Sequence, residues 1–178
     1  VITVEAGQQL DDVADPATGV VRPGLLSQIA QATCLPDGRI RRCLSAEELR
    51  LSAAQSDTTA LGIPDWARDP VAAMTGDHRR VEGLIGIGRW NVDPTATPAQ
   101  ILSTLISGSA VRYDQNSLLR AAAREHGVSA FEVLIVASLL ERDSRPGQYR
   151  QTAVELYGRM RADGEPGRLP PTPVAVPG

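Results

Sequence analysis

Apolar residues fill almost every position from Phe131 to Leu140, and this run constrains the fold more than any other stretch of the chain. Ser129 followed by Glu132 forms a capping box, in which each side chain satisfies a backbone N–H group at the start of a helix. Because apolar side chains would cover every side of this helix, we predict that the helix 130–143 is buried at the centre of the fold. The run is too short to span a membrane.

Two acidic residues, Glu141 and Asp143, follow at the C-terminal end of this helix. The C-terminus is the negative end of the helix dipole, so a carboxylate ion is disfavoured there. A partly buried carboxyl group in such a place tends to keep its proton, which is the state that a general acid needs. The alternative interpretation is a helix that frays into a charged loop.

Several other segments carry the spacing of amphipathic helices and have recognisable starts. Their predicted starts lie near residues 24, 45, 97, 114 and 149. The second begins with a capping box, and the third has a capped start with a proline at its first helical position. We expect Gly108 to end the third of these helices and Asp114 to cap the fourth. Since the helices outnumber the β-rich run 1–4, we predict an α+β fold that is mainly α-helical, with the buried helix 130–143 packed by amphipathic helices and a few short strands.

Three segments between these helices have other patterns. Residues 58–70 contain one glycine and two prolines, which predict a loop that holds Trp66. The charged run 77–80 (Asp-His-Arg-Arg) is either a binding patch or a solvated face. The glycines of residues 83–88 do not follow the order of a dinucleotide-binding loop, so the remaining functional interpretation is the wall of a sugar cleft that ends at Trp90.

Cys34 and Cys43 are the only cysteines. Between them, residues 35–38 (Leu-Pro-Asp-Gly) suit a type I turn, which would bring the two thiols together. A structural zinc site needs four ligands, and His78 and His126 are too scattered to complete one. We therefore predict a Cys34–Cys43 disulfide and no metal site. A disulfide favours an oxidising, extracytoplasmic compartment.

The chain contains no lysine, since all 18 of its basic residues are arginine. A Schiff-base lysine and a Walker A lysine are therefore excluded, and with them pyridoxal phosphate and P-loop chemistry in this chain. The formal net charge of −3 gives no basic footprint for nucleic acid. We predict no cofactor and no nucleic-acid partner.

Four stretches carry motifs in an order that one known family shares. Residues 137–143 (Ala-Ser-Leu-Leu-Glu-Arg-Asp) resemble its Ala-Ser-Ile-Val-Glu-Lys-Glu helix, and residues 82–85 (Glu-Gly-Leu-Ile) resemble the Glu-Gly-x-x before its Pro-Asp-Thr-Tyr turn. Residues 157–160 (Tyr-Gly-Arg-Met) stand at its hydrophobic-Asn-Arg-Leu, and residues 169–178 resemble its Leu-Pro-Pro-x-Pro-Ile-x-x-Pro-Gly loop. The chain thus resembles the endolytic murein transglycosylases (MltG, YceG-like) over residues 1–178, which implies one catalytic-type domain with a proline-rich end at 165–178.

This resemblance implies cleavage of MurNAc–GlcNAc bonds within peptidoglycan glycan strands, without water, by attack of the MurNAc 6-hydroxyl group that leaves a 1,6-anhydro end. One carboxyl group can act first as the acid and then as the base. Motif matching places the family's catalytic Glu at Asp143, with Glu141 as the other acid. We predict that Asp143 rather than Glu141 points into the cleft, because Asp143 stands at the motif position of the family's acid. Glu141 cannot simply substitute for it, because residues two apart on a helix differ by about 200° around the axis. The residues expected to bind substrate are Ser138, Glu82, Trp90, Tyr157 and Arg159.

The resemblance also implies cell-wall synthases as partners and a place at the extracytoplasmic face of the membrane. The family has an amino-terminal membrane anchor and a LysM-like region, most of which this chain lacks. We therefore expect an excised ectodomain, attached to a membrane only through an anchor that lies outside this chain.

Departures from the family's motifs leave a second hypothesis open. The carboxyl group of Asp143 is set back by about 1 Å relative to Glu, a displacement that can lower a rate about 100-fold. Gly158 replaces the motif Asn, residues 87–89 (Ile-Gly-Arg) replace Pro-Asp-Thr, and few residues follow Gly164 where the family has a long link containing a strand. The alternative function is a degenerate relative that binds glycan or a cell-wall partner without cleavage.

Overall fold

The computed structural model describes residues 1–34, 43–143 and 146–163, and at residues 142, 143, 146 and 161–163 it describes the backbone alone. The strands are β1 Ile2–Val4, β2 Val13–Ala14, β3 Val21–Arg22 and β4 Gly88–Trp90. The helices are α1 Leu25–Thr33, α2 Ala46–Gln55, α3 Asp65–Ala73, α4 Pro98–Gln115, α5 Ser117–His126, α6 Ala130–Asp143 and α7 Tyr149–Asp163, with short 3-10 helices at His78–Val81 and Pro146–Gln148. The predicted α+β, mainly α-helical fold is confirmed.

The strands form two small antiparallel pairs. β1 pairs with β4, so that Ile2 lies opposite Trp90 and Val4 lies opposite Gly88. Ile2 and Val4 are buried while Thr3 points outward, as the alternation of a half-buried strand requires. The β2–β3 pair is a separate hairpin. The β1–β4 pair therefore attaches the beginning of the chain to the segment that precedes α4.

Helix α6 links two hydrophobic clusters that the described residues form. Phe131 and Ile135 belong to the larger cluster, which contains the buried faces of α1, α2 and α4. Val133 and Val136 belong to the smaller cluster, together with Leu156 of α7. Side chains on opposite sides of one helix are thus both buried, which explains why its sequence is apolar almost all round.

The predicted capping box at the start of α6 is confirmed. The Ser129 N–H donates to Glu132 Oε2 at 2.7 Å, and the Glu132 N–H donates to Ser129 Oγ at 3.1 Å. The prediction of burial on every side is wrong towards the C-terminal end, because Ala137 and Glu141 are exposed.

The predicted starts of α2 and α4 are also confirmed, but the predicted end of α4 is wrong. Thr97 caps α4 with Pro98 in its first turn, and the helix continues through Gly108 to Gln115. A Cβ atom at residue 108 would lie 2.8 Å from Cζ3 of Trp90. Close packing of the indole ring therefore accounts for a glycine that costs a helix interior about 1 kcal/mol relative to alanine.

Two further local predictions are wrong. Trp66 lies in helix α3 and not in a loop, because burial of Ala67 and Val71 on one helical face offsets the hydrogen bond that Pro70 cannot donate. The residue that caps α5 is Asn116, whose side chain accepts a hydrogen bond from the Leu118 N–H. Asp114 lies inside α4 and instead accepts a hydrogen bond from Arg120 Nη2 at 2.9 Å.

The predicted disulfide between Cys34 and Cys43 is present and joins the end of α1 to the residues before α2. The turn that motivated this prediction, at residues 35–38, lies outside the described residues, as do the proline-rich end 165–178 and the shortened link after Gly164. In the part of the chain that the structure describes, no helix is long and apolar enough to cross a membrane.

Arg80 is the largest fully buried side chain of the fold, at 1 % exposure. Its guanidinium group donates to the carbonyl oxygen of Ala53 at 2.6 Å, to Thr75 Oγ1 at 3.0 Å and to the carbonyl oxygen of Ser56. Ala53 and Ser56 lie at the C-terminal end of α2, where helix carbonyl groups lack partners and a cation is favoured. The charged run 77–80 is therefore not simply a solvated face.

We expect Arg80→Met to lower the free energy of unfolding by about 3 kcal/mol, because it leaves buried carbonyl oxygens without donors. Urea denaturation measures this change. Arg68→Met is the matched control: Arg68 is half exposed and pairs only with the exposed Asp65, so its loss should cost no more than about 0.5 kcal/mol. Equal midpoints for the two variants would contradict the structural role of Arg80.

Replacing both Cys34 and Cys43 by serine should lower the free energy of unfolding by roughly 2–3 kcal/mol, because the disulfide closes a short loop with a sequence separation of 9. Wild-type protein unfolded in a reductant should match the double variant. Equal stability of oxidised wild type and double variant would overturn the prediction.

Candidate functional site

A cleft of about 780 Å³ lies between the turn after β1, residues 82–87, the C-terminal half of α4 and one side of α6. Its walls are apolar towards the core, where Phe131, Leu134 and Ile135 of α6 line it. Its charged side chains are the acids Glu5, Asp11, Glu82 and Glu141 and the arginines Arg79 and Arg112. A cavity of this size, with a few polar groups on an apolar wall, is typical of a ligand-binding site.

One wall of the cleft is residues 83–90, which are irregular except for β4 and are held by one face of α4. The Gly86 N–H donates to Ser109 Oγ at 2.8 Å, and that hydroxyl group donates to the carbonyl oxygen of Leu105 at 2.7 Å. The Tyr113 hydroxyl group donates to the carbonyl oxygen of Gly83 at 3.1 Å. Ser109 is completely buried, so its hydroxyl group satisfies a backbone N–H group that water does not reach.

The same helix holds Trp90 and Arg112 next to each other. The indole Nε1–H of Trp90 donates to the carbonyl oxygen of Gly86 at 2.9 Å, and Gly108 leaves space for its ring. The guanidinium carbon of Arg112 lies 4.1 Å from the centroid of the Trp90 ring, in a cation–π contact. Arg112 Nη1 also donates to the carbonyl oxygen of Ile87 at 3.3 Å.

Two of the motif stretches, residues 82–85 and residues 137–143, lie far apart in sequence but meet in this cleft. Gly83 has a φ of +78°, and a Cβ atom at this position would lie 2.9 Å from Ser138 Oγ. A side chain at residue 83 would therefore be both strained and in collision with Ser138. This contact places Glu82 and Glu141 on the walls of one cleft.

Glu141 lines the cleft, although the sequence predicted that it would point away from it. The turn after β1 packs against the backbone of Glu141, with the Cβ position of Gly7 at 3.5 Å from its carbonyl oxygen. The side chain of Glu141 is exposed, so Glu141 lacks the partial burial expected of an acid at this helix end. The side chain of Asp143 lies outside the described residues.

Burial raises the pKa of the nearby Tyr113 hydroxyl group, and the negative charge of Glu141 raises this pKa further. The positive charge of Arg112 acts in the opposite direction but does not outweigh them. Tyr113 therefore keeps its proton at neutral pH and remains a hydrogen-bond donor close to the charged side chains of Glu141 and Arg112.

The structure brings together some of the predicted substrate-binding residues and separates others. Ser138 and Glu82 line the cleft with Glu141, whereas Trp90 lies behind Arg112. Tyr157 is 5 % exposed and stacks on the ring of His126 at 4.3 Å, in the smaller hydrophobic cluster. Its helical spacing is therefore that of a core residue. Arg159 is exposed on α7 and does not line the cleft.

The opposite end of the cleft carries a network around Asp11. Arg50 Nε donates to Asp11 Oδ1 at 2.6 Å, and His78 Nε2 lies 2.7 Å from Asp11 Oδ2. Since an ionised carboxylate only accepts hydrogen bonds, His78 donates here. Arg79, beside it, donates twice to the carboxylate of Asp77. Among the described residues, no group of three or more His, Cys, Asp or Glu side chains is placed to hold a metal ion.

Sequence reasoning missed Arg112, Tyr113, Ser109 and Asp11 as residues of this site. A usable signal exists for three of them, because Ser109, Arg112 and Tyr113 recur at the spacing of one helical face just after Gly108, the predicted end of α4. Asp11 lies in a loop and carries no such periodicity.

A comparison with models of known protein families finds no match, and a comparison with curated proteins finds none. The resemblance to murein transglycosylases therefore stays a prediction, and the function is inferred from the residues and their geometry.

Partial burial by itself would raise the pKa of Asp11, but hydrogen bonds from His78 and Arg50 outweigh it and hold this pKa below its ordinary value of 3.8. The ionised Asp11 carboxylate therefore stabilises the folded state, and this contribution is complete at pH values above the unfolded-state pKa. It is lost as the pH falls through the lower folded-state pKa. We expect Asp11→Asn to be less stable than wild type at pH 7, with the difference shrinking as the pH falls below about 4 and disappearing only below the folded-state pKa of Asp11. Urea denaturation at several pH values measures it.

Asp69→Asn, at an exposed position of α3, is the control for this series. Its stability should follow that of wild type at every pH. An Asp11→Asn curve that stays parallel to wild type down to pH 2 would contradict the assigned role of the Asp11 carboxylate.

Proposed function

We propose that this chain is a lytic transglycosylase that cleaves MurNAc–GlcNAc bonds of peptidoglycan strands, with Glu141 as its acid and base. The observation that carries the proposal is the contact between Gly83 and Ser138, which joins two motif stretches at one cleft. In that cleft Glu141, Glu82 and Ser138 are neighbours of a protonated Tyr113. These are the residue types that glycan binding and acid–base cleavage need.

A single carboxyl group completes the reaction. Glu141, protonated, donates its proton to the glycosidic oxygen while the bond from that oxygen to the MurNAc anomeric carbon breaks. The resulting carboxylate then removes the proton of the MurNAc 6-hydroxyl group as its oxygen bonds to the anomeric carbon. The acid is regenerated, and the 1,6-anhydro end forms without water. A flanking pair of carboxylates, as hydrolysing glycosidases use, is not required.

Other groups of the cleft support these steps. The transition state resembles an oxocarbenium ion and carries positive charge at the anomeric carbon, which the carboxylate of Glu82 favours electrostatically. Tyr113, fixed by its hydrogen bond to Gly83, holds the wall on which the sugar would rest. The apolar face of α6, at Leu134 and Ile135, suits the hydrophobic faces of sugar rings.

The second candidate is a relative that binds glycan without cleaving it, and the exposure of Glu141 favours it. An anhydro product forms only when the 6-hydroxyl group reacts before water does, and enzymes ensure this by excluding water from the site. With Glu141 exposed in the free protein, the bound glycan itself would have to exclude the water.

The disulfide is compatible with an oxidising compartment, and we place the protein at the extracytoplasmic face of the membrane, where its substrate lies. Cell-wall synthases are the partners that the resemblance suggests, because strand cleavage and strand synthesis act on the same polymer. Both statements rest on the proposed function.

We expect Glu141→Gln to lower the formation of anhydro ends by about 100- to 10,000-fold, because the amide is of equal size but cannot transfer the proton. The measurement is mass spectrometry of muropeptides released from purified glycan strands. Glu125→Gln, an exposed acid of α5 that does not line the cleft, is the matched control and should retain full activity.

Asp143→Asn tests the competing assignment made by motif matching. Loss of activity in Asp143→Asn with retention in Glu141→Gln would assign the acid to Asp143. Reducing ends in place of anhydro ends would mean hydrolysis. Binding of strands without any cleavage by the wild type would favour the second candidate.

A further inference from the structure

We propose that Arg112 determines substrate specificity by binding a carboxylate group on the glycan, so that the cleft selects acidic strands over neutral ones. This inference rests on the proposed function, since it names a feature of the substrate of the same site. Arg112 lines the cleft that Glu141 and Ser138 also line. It belongs to α4, whereas the proposed acid belongs to α6, so the two charges approach a ligand from different walls.

Arg112 differs from the other arginines in what its charge contacts. The described ion pairs between arginine and a carboxylate involve Arg50, Arg68, Arg79 and Arg120, and Arg112 is not among them. Its guanidinium group contacts the ring of Trp90 and the carbonyl oxygen of Ile87, both of which are uncharged. Arg79, the second arginine of the cleft, is already paired with Asp77.

The position of the guanidinium group is set before any ligand binds. Trp90 supports it at 4.1 Å, and the ring of Trp90 is itself fixed by a hydrogen bond to Gly86 and by packing against Gly108. Within the described residues the guanidinium group of Arg112 makes one hydrogen bond, through Nη1, so other N–H groups of the planar fork remain for a ligand. A planar fork matches the two oxygens of a carboxylate, and a side chain held in place loses little entropy on binding.

An acid of the cleft makes this preference specific in position. The carboxylate of Glu82 repels a ligand carboxylate, so an acidic glycan gains only when its carboxylate faces Arg112. Such a contact would fix which sugar of the strand lies against Glu141. Peptidoglycan offers two sources of this group: the lactyl carboxylate of a MurNAc that has lost its peptide, and the carboxylates of attached peptides.

The test measures binding to three strand preparations in the Glu141→Gln background, which prevents cleavage. These are strands with peptides, strands stripped of peptides, and stripped strands whose carboxyl groups have been reduced to alcohols. We expect Arg112→Gln to weaken binding to one of the two acidic preparations roughly 10- to 100-fold, because the variant loses a charge-assisted hydrogen bond. Its binding to the reduced strands should be unchanged. The acidic preparation that loses affinity identifies the source of the carboxylate.

Arg124→Gln, an exposed arginine of α5 that does not line the cleft, is the matched control and should bind all three preparations as the parent does. Arg112→Lys keeps the charge without the planar fork and should lie between parent and Arg112→Gln. An equal loss on acidic and reduced strands, or no loss on either, would overturn the inference.

The outcomes separate this inference from the proposed function. If the wild type produces anhydro ends but Arg112→Gln binds acidic and reduced strands as its parent does, the transglycosylase proposal is supported and the inference about Arg112 is wrong. Weakened binding of acidic strands by Arg112→Gln, with no anhydro ends from the wild type, would support the inference in a protein that only binds. A wild type that binds none of the strands would overturn both.

Discussion

The packing of residues 83–90 on α4 is the interaction on which the cleft depends. An irregular segment brings backbone polar groups into the protein, and each buried one needs a partner. Ser109 accepts from the Gly86 N–H, and Tyr113 donates to the carbonyl oxygen of Gly83. Because Ser109 is fully buried, water cannot take its place while the segment stays packed, and loss of its hydroxyl group would leave the Gly86 N–H group buried and unsatisfied. Side chains of α4 therefore hold this wall of the cleft in place.

The parts of the fold that could be predicted from the sequence are those that local interactions decide. Capping boxes at Ser129 and Ser45 gave the starts of α6 and α2, because a hydroxyl group and a carboxylate three residues apart satisfy the same backbone groups in any context. Gly108 and Pro70 were misread, since tertiary contacts there outweigh the local cost. The ring that packs on Gly108 belongs to Trp90 of β4, a different element, so the sequence around Gly108 does not indicate this contact.

The residues of the candidate site likewise divide into those that local sequence patterns predict and those that only tertiary contacts decide. Glu82, Ser138 and Glu141 could be named in advance because they belong to recognisable motifs, but which acid faces the cleft depends on how the end of α6 meets the turn at Gly7. Tyr157 was placed in the cleft because an aromatic residue at helical spacing has the same sequence pattern in a core and in a binding site. Only its stacking on His126 in the smaller cluster distinguishes the two.

The walls of the cleft form a closed series of contacts. β1 pairs with β4 at the end of the 83–90 segment, and Gly83 in that segment meets Ser138 of α6. Further along α6, the backbone of Glu141 packs against Gly7, whose φ of +70° turns the chain just after β1. Each wall thus limits the movement of the next. A ligand that enters such a cleft orders little of the protein, so the free energy of its contacts is retained as affinity and not spent on closing the site.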